Sequence, residues 1–310
     1  MKEQKKDCIS VIIPVFNTGE ACIKLLSALL ESPFKNKEII CVDDGSKDNS
    51  LKLLKDFSKN HPVVKVFHQE NAGPSAARNT GIQHATGNYV IFVDSDDMVK
   101  PEFLSELHKA FSPKTVLACT SILYSRLALK TAYPIYTKRL RKHKKHESLK
   151  SYVLYLMRYD GRLYGVHNNL LRLDIIKNNN LKFDTSIRFA EDTSFMLDYI
   201  EAAGRLFDDD YTLSFIYKPL YIYNYGTETS VVAKSSLSWD GWQKSYNKLR
   251  DWASTEKTVV AKTRLLLIWV RWKISYILNV QRANISRREK LQHAGRLELL
   301  LARLVLLIRK

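Results

Sequence analysis

The first hundred residues alternate between short apolar runs and segments whose apolar residues are spaced as in a helix. The apolar runs are ISVIIPVF (9–16), EIICVDD (38–44), VVKVFHQ (63–69) and YVIFVDS (89–95). Strands that alternate with helices at this spacing predict a parallel sheet with helices on both faces. With 310 residues, of which 45% are hydrophobic, the chain is long enough to bury such a core. We therefore expect an α/β fold with a mostly parallel sheet flanked by helices.

Polar residues end three of these four predicted strands. They are Asn17 after the first strand, Asp43 and Asp44 in the second, and Asp94, Asp96 and Asp97 after the fourth. Ligands of open α/β sheets bind at the carboxyl ends of the strands, so these side chains are expected to share one edge. Asp and Asn also follow strands simply because they suit turns. A cluster of carboxylates nevertheless repels itself and requires a counter-charge.

The spacing of Asp94, Ser95 and Asp96 suggests what supplies that counter-charge. Mg²⁺ and Mn²⁺ prefer oxygen ligands and often bind through one or two carboxylates together with substrate phosphates. The sequence therefore predicts a divalent metal, bound with a phosphorylated ligand, after the fourth strand. His68, His84 and His167 are not spaced as metal ligands are, and we interpret them as surface or packing residues.

The cysteines and the N-terminus indicate the compartment. The four cysteines are scattered without a C-x-x-C spacing, so neither a zinc site nor a disulfide framework is predicted, and a reducing compartment fits best. The stretch MKEQKKDCISVIIPVF lacks the length and cleavage pattern of a signal peptide, which predicts a cytoplasmic protein. The dinucleotide-binding motif G-x-G-x-x-G and the P-loop motif are both missing from the sequence, which argues against the two corresponding enzyme classes.

Positive charge is concentrated towards the end of the chain. The formal net charge is +17, and residues 241–310 hold sixteen Lys or Arg against four Asp or Glu. Residues 262–310 combine apolar and basic faces, as in a helix lying on an anionic membrane surface. A helical bundle packed on the rest of the protein, or a homo-oligomer interface, gives the same pattern. A second basic run, KRLRKHKKH (138–146), predicts a loop, and the two runs raise nucleic-acid binding as an alternative.

Four motifs together resemble the family 2 glycosyltransferases, which have the GT-A fold. They are SVIIPVFN (10–17), VDDGSKDNS (42–50), NAGPSAARNTGIQHATGNYVIFVDSDD (71–97) and FAEDTSF (189–195). The resemblance covers roughly residues 8–235 and implies a Rossmann-like domain. It also implies a nucleotide-diphosphate sugar as donor, usually a UDP-sugar, bound with Mn²⁺ or Mg²⁺. The sugar is then expected to be transferred with inversion at the anomeric carbon.

The resemblance also implies roles for individual residues of the donor site. The predicted nucleotide-sugar-binding residues are Pro14, Phe16, Asn17, Asp44, Arg78, Asp94 and Ser95. Among them, Pro14 and Phe16 are expected to line the nucleobase pocket. Asp44 is expected to accept a hydrogen bond from the uracil, and Asp94 to bond the ribose or nearby groups. Asp96 is the implied metal ligand between the two phosphates.

The pair Glu191 and Asp192 resembles the catalytic part of the same family. Asp192 corresponds to the base that removes the proton of the acceptor hydroxyl, and Glu191 to a residue that binds the acceptor or orients the base. Without the other motifs, the pair is also explained as an acidic N-cap of the helix TSFMLDYIEAA. One departure concerns YIYNYGTETSVV (221–232), where relatives often carry a His or another basic residue. This departure leaves the third contact to the metal or diphosphate unassigned.

These observations predict a GT-A catalytic domain at residues 1–235 and a basic amphipathic helical region at 236–310. The nucleotide-sugar half is expected at about 8–110 and the acceptor half at about 111–235. The expected acceptor is a saccharide or lipid-linked glycan of a surface polysaccharide such as lipopolysaccharide or capsule, at the inner face of the cell membrane. A nucleic-acid-binding protein is the first alternative, but the Asp-rich strand ends would repel phosphates. A sugar nucleotidyltransferase is the second, but its glycine-rich, Arg-containing loop after the first strand is missing.

Overall fold

The structure is a computed structural model that describes residues 7–126, 131–134, 165–187, 191–207, 211–225 and 239–252. The strands in these ranges are β1 (Ile9–Val15), β2 (Lys37–Asp44), β3 (Val64–Gln69), β4 (Tyr89–Phe92), β5 (Met98–Val99), β6 (Thr115–Arg126), β7 (Thr131–Pro134), β8 (Asn169–Arg172) and β9 (Thr212–Tyr225). The helices are α1 (Gly19–Glu31), α2 (Ser50–Lys59), α3 (Pro74–His84), α4 (Phe103–Lys109), α5 (Leu173–Asn178), α6 (Glu191–Phe207) and α7 (Trp239–Trp252). The predicted basic loop at 138–146 and the region 262–310 lie outside the described residues.

The nine described strands form one mixed sheet. Its order is β3-β2-β1-β4-β8-β6-β9-β5, with β7 paired to β6. Strands β1 to β4 pair in parallel, as the strand and helix alternation predicts. Strand β8 then runs antiparallel to both β4 and β6, while β9 is parallel to β6. The predicted α/β fold is therefore confirmed, and the antiparallel strands belong to the later part of the chain.

Two hydrophobic cores cover the two faces of the sheet. On one face, helices α1, α2 and α4 pack against the side chains of Val11, Ile13 and Cys41 from β1 and β2. On the other face, helices α3, α5 and α6 pack against Ile12 and Ile40 from the same strands. Because side chains alternate along a strand, the continuous apolar runs of β1 and β2 supply both cores at once.

Helix α3 lies especially close to strand β1. A Cβ atom added to Gly81 would stand 2.3 Å from Cγ2 of Ile12, so only glycine fits at this contact. The helix is also joined to the segment before α6 by a two-way amide bridge. The side chain of Asn79 donates to the carbonyl of Phe183 at 2.9 Å and accepts from its backbone N–H at 2.8 Å. Helix α3 is therefore held at two points, and its side chains are placed accurately over the sheet edge.

Candidate active site

The carboxyl ends of β1, β2 and β4 meet at one edge of the sheet, where the sequence motifs converge. Arg78 of α3 stands at the centre of this edge. Its Nη2 donates to Asp94 at 2.9 Å, and its Nη1 donates to Asp192 at 3.1 Å and to Glu191 at 3.3 Å. The D-x-D motif after β4 and the acidic pair that begins α6 are thus joined through a single guanidinium group, as the sequence alone did not reveal.

Arg78 is buried on an aromatic surface. The residue is 4% exposed, and its guanidinium carbon lies 5.4 Å from the centre of the Phe183 ring. Phe183 in turn stacks on Phe195 with ring centres 4.1 Å apart, and Phe92 meets it edge to face at 5.2 Å. Burial alone would lower the pKa of Arg78, but the three carboxylates outweigh that effect and raise it above its ordinary value. Arg78 is therefore a permanent positive charge beneath the site.

The carboxylates at this edge outnumber that positive charge. Burial, followed by repulsion from Asp192, raises the pKa of Glu191 to about 7, although Arg78 acts in the opposite direction. Burial also raises the pKa of Asp192. Burial and the neighbouring Asp94 raise the pKa of Asp97 to about 8. Burial is the largest cause of each rise, and buried groups with raised pKa values are common in functional sites.

Asp97 is tied to strand β9 rather than directed at the site opening. The hydroxyl of Tyr221 donates to Asp97 at 2.5 Å, and the backbone N–H of Asn224 donates to its other oxygen at 2.8 Å. The side chain of Asn224 also donates to the backbone carbonyl of Asp96 at 2.6 Å. The segment in which no basic residue was found therefore holds the D-x-D loop in place. Sequence analysis did not single out Tyr221 and Asn224 for this role, and the run YIYNY gives only the aromatic signal of a strand.

The D-x-D loop offers oxygen ligands of the type that hard divalent cations prefer. Asp94 and Asp96 provide hard oxygen donors beside an unbalanced negative charge. In the part of the chain that the structure describes, no group of three His, Cys, Asp or Glu side chains forms a complete metal cage. Mg²⁺ and Mn²⁺ bound to a nucleotide do not need such a cage, because one or two carboxylates and the phosphates suffice.

Asp44 lies at the same edge, with its carboxylate turned to the loop before α3. Three N–H groups donate to it: the side chain of Gln69 at 2.8 Å and the backbones of Ala72 at 2.9 Å and Gly73 at 2.8 Å. Gly73 has a φ of 89°, which favours glycine at this turn. Asp44 thus shapes the chain that leads into α3 and to Arg78.

The loop after β1 is bonded to its neighbours. Asn17 has a φ of 55°, accepts from the backbone N–H of Lys47 at 2.8 Å, and donates its own backbone N–H to Ser46 at 3.0 Å. The hydroxyls of Thr18 and Ser95 lie 2.7 Å apart. The predicted donor-site residues Asn17 and Ser95 therefore belong to one connected group of loops at the strand ends.

Pro14 and Phe16 frame the start of this loop. Pro14 is half-buried in β1, whereas Phe16 is 40% exposed, which is unusual for a phenylalanine beside so many buried residues. An exposed aromatic ring next to a cluster of polar loops presents a flat apolar surface. Such a surface is suited to stacking against a planar ligand.

His68, His84 and His167 take different places in the structure. His84 stacks on Phe67 with ring centres 3.8 Å apart. Nδ1 of His68 lies 2.8 Å from the buried carboxylate of Asp43. The ring of His167 packs with its centre 5.1 Å from that of Tyr221. Burial lowers the pKa of His167, although the charges of Asp94 and Asp192 act in the opposite direction. The sequence predicted a surface or packing role for His167, and it did not reveal that this residue lies near the carboxylates of Asp94 and Asp192.

None of the helices in the described ranges has the length and apolar character needed to span a bilayer. The predicted membrane-surface region at 262–310 lies outside these residues. The predicted boundary at residue 235 likewise falls in a stretch that the structure does not describe. The domain division therefore stays a prediction.

Solved structures with the same fold include two glycosyltransferases. The crystal structure of residues 1–349 of Staphylococcus aureus TarS in complex with UDP-GlcNAc has a TM-score of 0.59 and 19% identity, covering 95% of this chain and 88% of that TarS chain. The mannosyltransferase PcManGT of Pyrobaculum calidifontis, in complex with GDP-Man and Mn²⁺, has a TM-score of 0.57 and 14% identity, covering 94% of this chain and 80% of PcManGT. Both similarities support the GT-A fold.

Similar sequences point to the same family. An uncharacterized glycosyltransferase of Bacillus subtilis, EpsJ, is 30% identical over 207 residues, which span 64% of this chain and 57% of EpsJ. The cholesterol galactosyltransferase of Borreliella burgdorferi is 28% identical over 244 residues, which span 74% of this chain and 65% of that enzyme. The match thus extends over about three fifths of each relative. The family model "Glycosyl transferase family 2" matches residues 10–167. This chain therefore belongs to glycosyl transferase family 2.

Proposed function

We propose that the protein is an inverting glycosyltransferase that moves a sugar from a UDP-sugar to a hydroxyl of a saccharide or lipid-linked glycan. The proposed process is the synthesis of a cell-surface polysaccharide. The observation that carries the proposal is the meeting of the D-x-D motif with Glu191 and Asp192 around Arg78. This arrangement brings a donor-binding edge and a base for the acceptor within one site.

The proposed donor-binding surface runs along the loops after β1, β2 and β4. Pro14 and the exposed ring of Phe16 form the nucleobase pocket. Asp44 contributes a hydrogen-bond acceptor to this pocket. A carboxylate offers about four lone-pair sites, and three N–H groups already occupy sites on Asp44, so one site remains for the uracil. Asn17 and Ser95 fix the loops that surround the ribose and diphosphate.

In the proposed reaction, Asp192 acts as the general base. It takes the proton from the acceptor hydroxyl as that oxygen forms a bond to the anomeric carbon. The bond between this carbon and the diphosphate oxygen breaks on the opposite face, and its electron pair leaves with the diphosphate. Glu191, the neighbouring carboxylate, holds the acceptor. The burial of Asp192 raises its pKa, which makes it a stronger base than an exposed aspartate.

We propose Mn²⁺ or Mg²⁺ as the cofactor, held by Asp96 with Asp94 beside it. When bound, the metal stabilises the negative charge that develops on the leaving diphosphate. Asp94, Asp96 and Asp97 share one loop after β4, and the charges of Asp94 and Asp96 add to the effect of burial in raising the pKa of Asp97. A bound cation would reduce this repulsion. Binding of Mn²⁺ by PcManGT supports the same type of site.

Calorimetric titration of nucleoside diphosphates tests the donor site. UDP, CDP, GDP and ADP are each added to the purified protein with Mn²⁺ and again with EDTA. We expect selective binding of UDP that requires the metal and is weakened in Asp96→Asn. A matched control is Asp56→Asn, since Asp56 pairs with Lys52 and Lys59 on the exposed face of α2. Binding of no nucleoside diphosphate contradicts the proposal, and preference for GDP contradicts the choice of a UDP-sugar.

Release of UDP from UDP-glucose, UDP-galactose and UDP-GlcNAc tests the chemical step. Asp192→Asn is expected to bind UDP as the wild type does and to lose turnover by a factor of at least about 100, because general base catalysis contributes 10²–10⁴. Unchanged turnover in this variant contradicts the assignment of the base. Pyrophosphate release from a nucleoside triphosphate would instead indicate a nucleotidyltransferase.

The domain division and the location of the enzyme form a further part of the proposal. Residues 8–110 bind the donor, residues 111–235 bind the acceptor, and the basic region 236–310 holds the enzyme at the inner face of the membrane through 262–310. The sixteen basic residues of 241–310 support this proposal. Flotation with vesicles tests it: binding to phosphatidylglycerol vesicles but not to phosphatidylcholine vesicles is expected, and equal recovery with both contradicts it.

A further inference from the structure

Arg78 contacts carboxylates from two distant parts of the chain with different nitrogen atoms. Nη2 faces Asp94 at the end of β4, and Nη1 faces Glu191 and Asp192 at the start of α6. We infer that Arg78 is a positioning residue for the transfer reaction, which fixes the proposed base Asp192 relative to the donor-binding edge at Asp94. This inference rests on the proposed function, because it assumes that Asp192 removes the acceptor proton.

Arg78 is more deeply buried than the carboxylates that it holds. Its side chain is 5% exposed, whereas those of Asp94 and Asp192 are 28% and 19% exposed. In this inference, Arg78 acts on the substrates through the carboxylates that it holds. The expectation from the sequence was that Arg78 binds the nucleotide sugar, and the Kd of UDP and the kcat of an Arg78 variant distinguish the two roles.

The guanidinium group is held rigidly. It packs over the ring of Phe183, which is itself stacked on Phe195. Asn79, the next residue along α3, bonds the backbone of Phe183 in both directions. The arginine and the ring beneath it therefore pack as one unit, and this packing restricts the positions of the carboxylates bonded to the arginine.

Rigid placement matters because an in-line displacement depends on the distance between the reacting groups. A misplacement of about 1 Å can lower a rate about 100-fold without any change in the chemical groups. Arginine suits this role because its planar fork has several donors in fixed directions, whereas lysine has one nitrogen on a flexible stem. A lysine ammonium at this position retains the charge but cannot hold Asp94 and Asp192 at a fixed separation.

The test compares Arg78→Lys with Arg172→Lys. Arg172 also forms a close ion pair, with Asp174 at 2.7 Å. It is the last residue of β8 and pairs with Tyr89 at the start of β4, at the end of that strand opposite to the site. The measurements are the Kd of UDP with Mn²⁺, the kcat and KM of UDP release from the UDP-sugar that the wild type accepts best, and the melting temperature. Turnover is expressed per UDP-binding site, so that unfolded protein does not count.

Arg78→Lys is expected to lower kcat by about 100-fold while the Kd of UDP stays within about threefold. Arg172→Lys is expected to leave both unchanged. Phe183→Leu provides a second variant that keeps Arg78 and removes the ring beneath it; a loss in kcat of about 10-fold with UDP binding retained is expected.

Two results overturn the inference. In the first, Arg78→Lys has the same kcat as Arg172→Lys, and Phe183→Leu matches the wild type. In the second, the loss in Arg78→Lys lies in the Kd of UDP or in KM with kcat retained, which would make Arg78 a donor-binding residue. If the wild type releases UDP from none of the three UDP-sugars, the proposed function itself is overturned. Failure of the proposed function is thus judged on the wild type alone, whereas failure of the inference on Arg78 is judged on the variants.

Discussion

Glu38 offers a quantitative test of the energetics of the sheet that carries the site. The residue is 6% exposed in β2, and four hydrogen bonds converge on its carboxylate. The donors are Ser10 Oγ at 2.7 Å, Thr86 N at 2.6 Å, Thr86 Oγ1 at 2.9 Å and Lys65 Nζ at 2.7 Å. Burial would raise the pKa of Glu38, but these donors outweigh it and lower the pKa from 4.5 to about 2. The charged form is therefore stabilised by the fold.

The lowered pKa gives the magnitude and the pH window. A difference of roughly 2.5 pKa units corresponds to about 3 kcal/mol of folding stability. The unfolded chain binds a proton at Glu38 as the pH falls through 4.5, whereas the folded chain binds it only near 2. The stabilisation is therefore complete above about pH 5 and is lost as the pH falls towards 2. Glu38→Gln, which mimics the protonated form, is expected to lower the free energy of unfolding by about 3 kcal/mol at pH 7 and by roughly half of that at pH 3.

Urea unfolding followed by tryptophan fluorescence at pH 7, 5 and 3 measures this difference. Glu70→Gln is the matched control, since Glu70 is exposed just beyond β3, and it is expected to have little effect at each pH. The reasoning is refuted by a destabilisation in Glu38→Gln that is the same at pH 7 and pH 3. It is equally refuted by a loss at pH 7 no larger than that of the control.

Three other substitutions test the packing and hydrogen bonds around the site. Asp44→Asn places an amide N–H against a backbone donor, so we expect the free energy of unfolding in urea to fall by about 1–3 kcal/mol. Hydrogen exchange at residues 72 and 73 should become faster, and unchanged exchange would contradict the role of Asp44 in this loop. Gly81→Ala is expected to cost about 1–3 kcal/mol, because its Cβ would stand 2.3 Å from Ile12, and a melting temperature equal to that of the wild type would disprove the close contact. Tyr221→Phe removes a donor to Asp97, so the pKa of Asp97 is expected to rise further above about 8 in a carbon-13 NMR titration, and a lower pKa would be inconsistent with the structure.

The sequence predicted the first half of the sheet because its local patterns agree with its tertiary structure. Strands β1 to β4 are apolar runs between helices of clear periodicity, and their polar ends stand at one edge as expected. Strand β9 was not predicted. Its sequence contains Pro219, which normally argues against a central strand. The structure accommodates this proline where the pairing register between β6 and β9 shifts, opposite Ser121.

The candidate site was predicted in its parts but not in its connections. The carboxylates of Asp94 and Asp192 were found from their motifs, because each motif is local. The contact of both with Arg78 joins residues far apart in the chain, and no local pattern contains that information. The same reason explains why the bond from Tyr221 to Asp97 was missed. The acidic cluster requires a counter-charge, and one buried arginine, Arg78, provides part of it.

The amide bridge between Asn79 and Phe183 has a consequence for engineering. The bridge uses the backbone N–H and carbonyl of residue 183, so it is indifferent to most changes of sequence in the segment before α6. A chimera that exchanges this segment with that of another family member keeps the docking to α3 if its backbone follows the same path. The aromatic ring at position 183 must also be retained in such a chimera, not for the bridge but because the guanidinium of Arg78 packs on it.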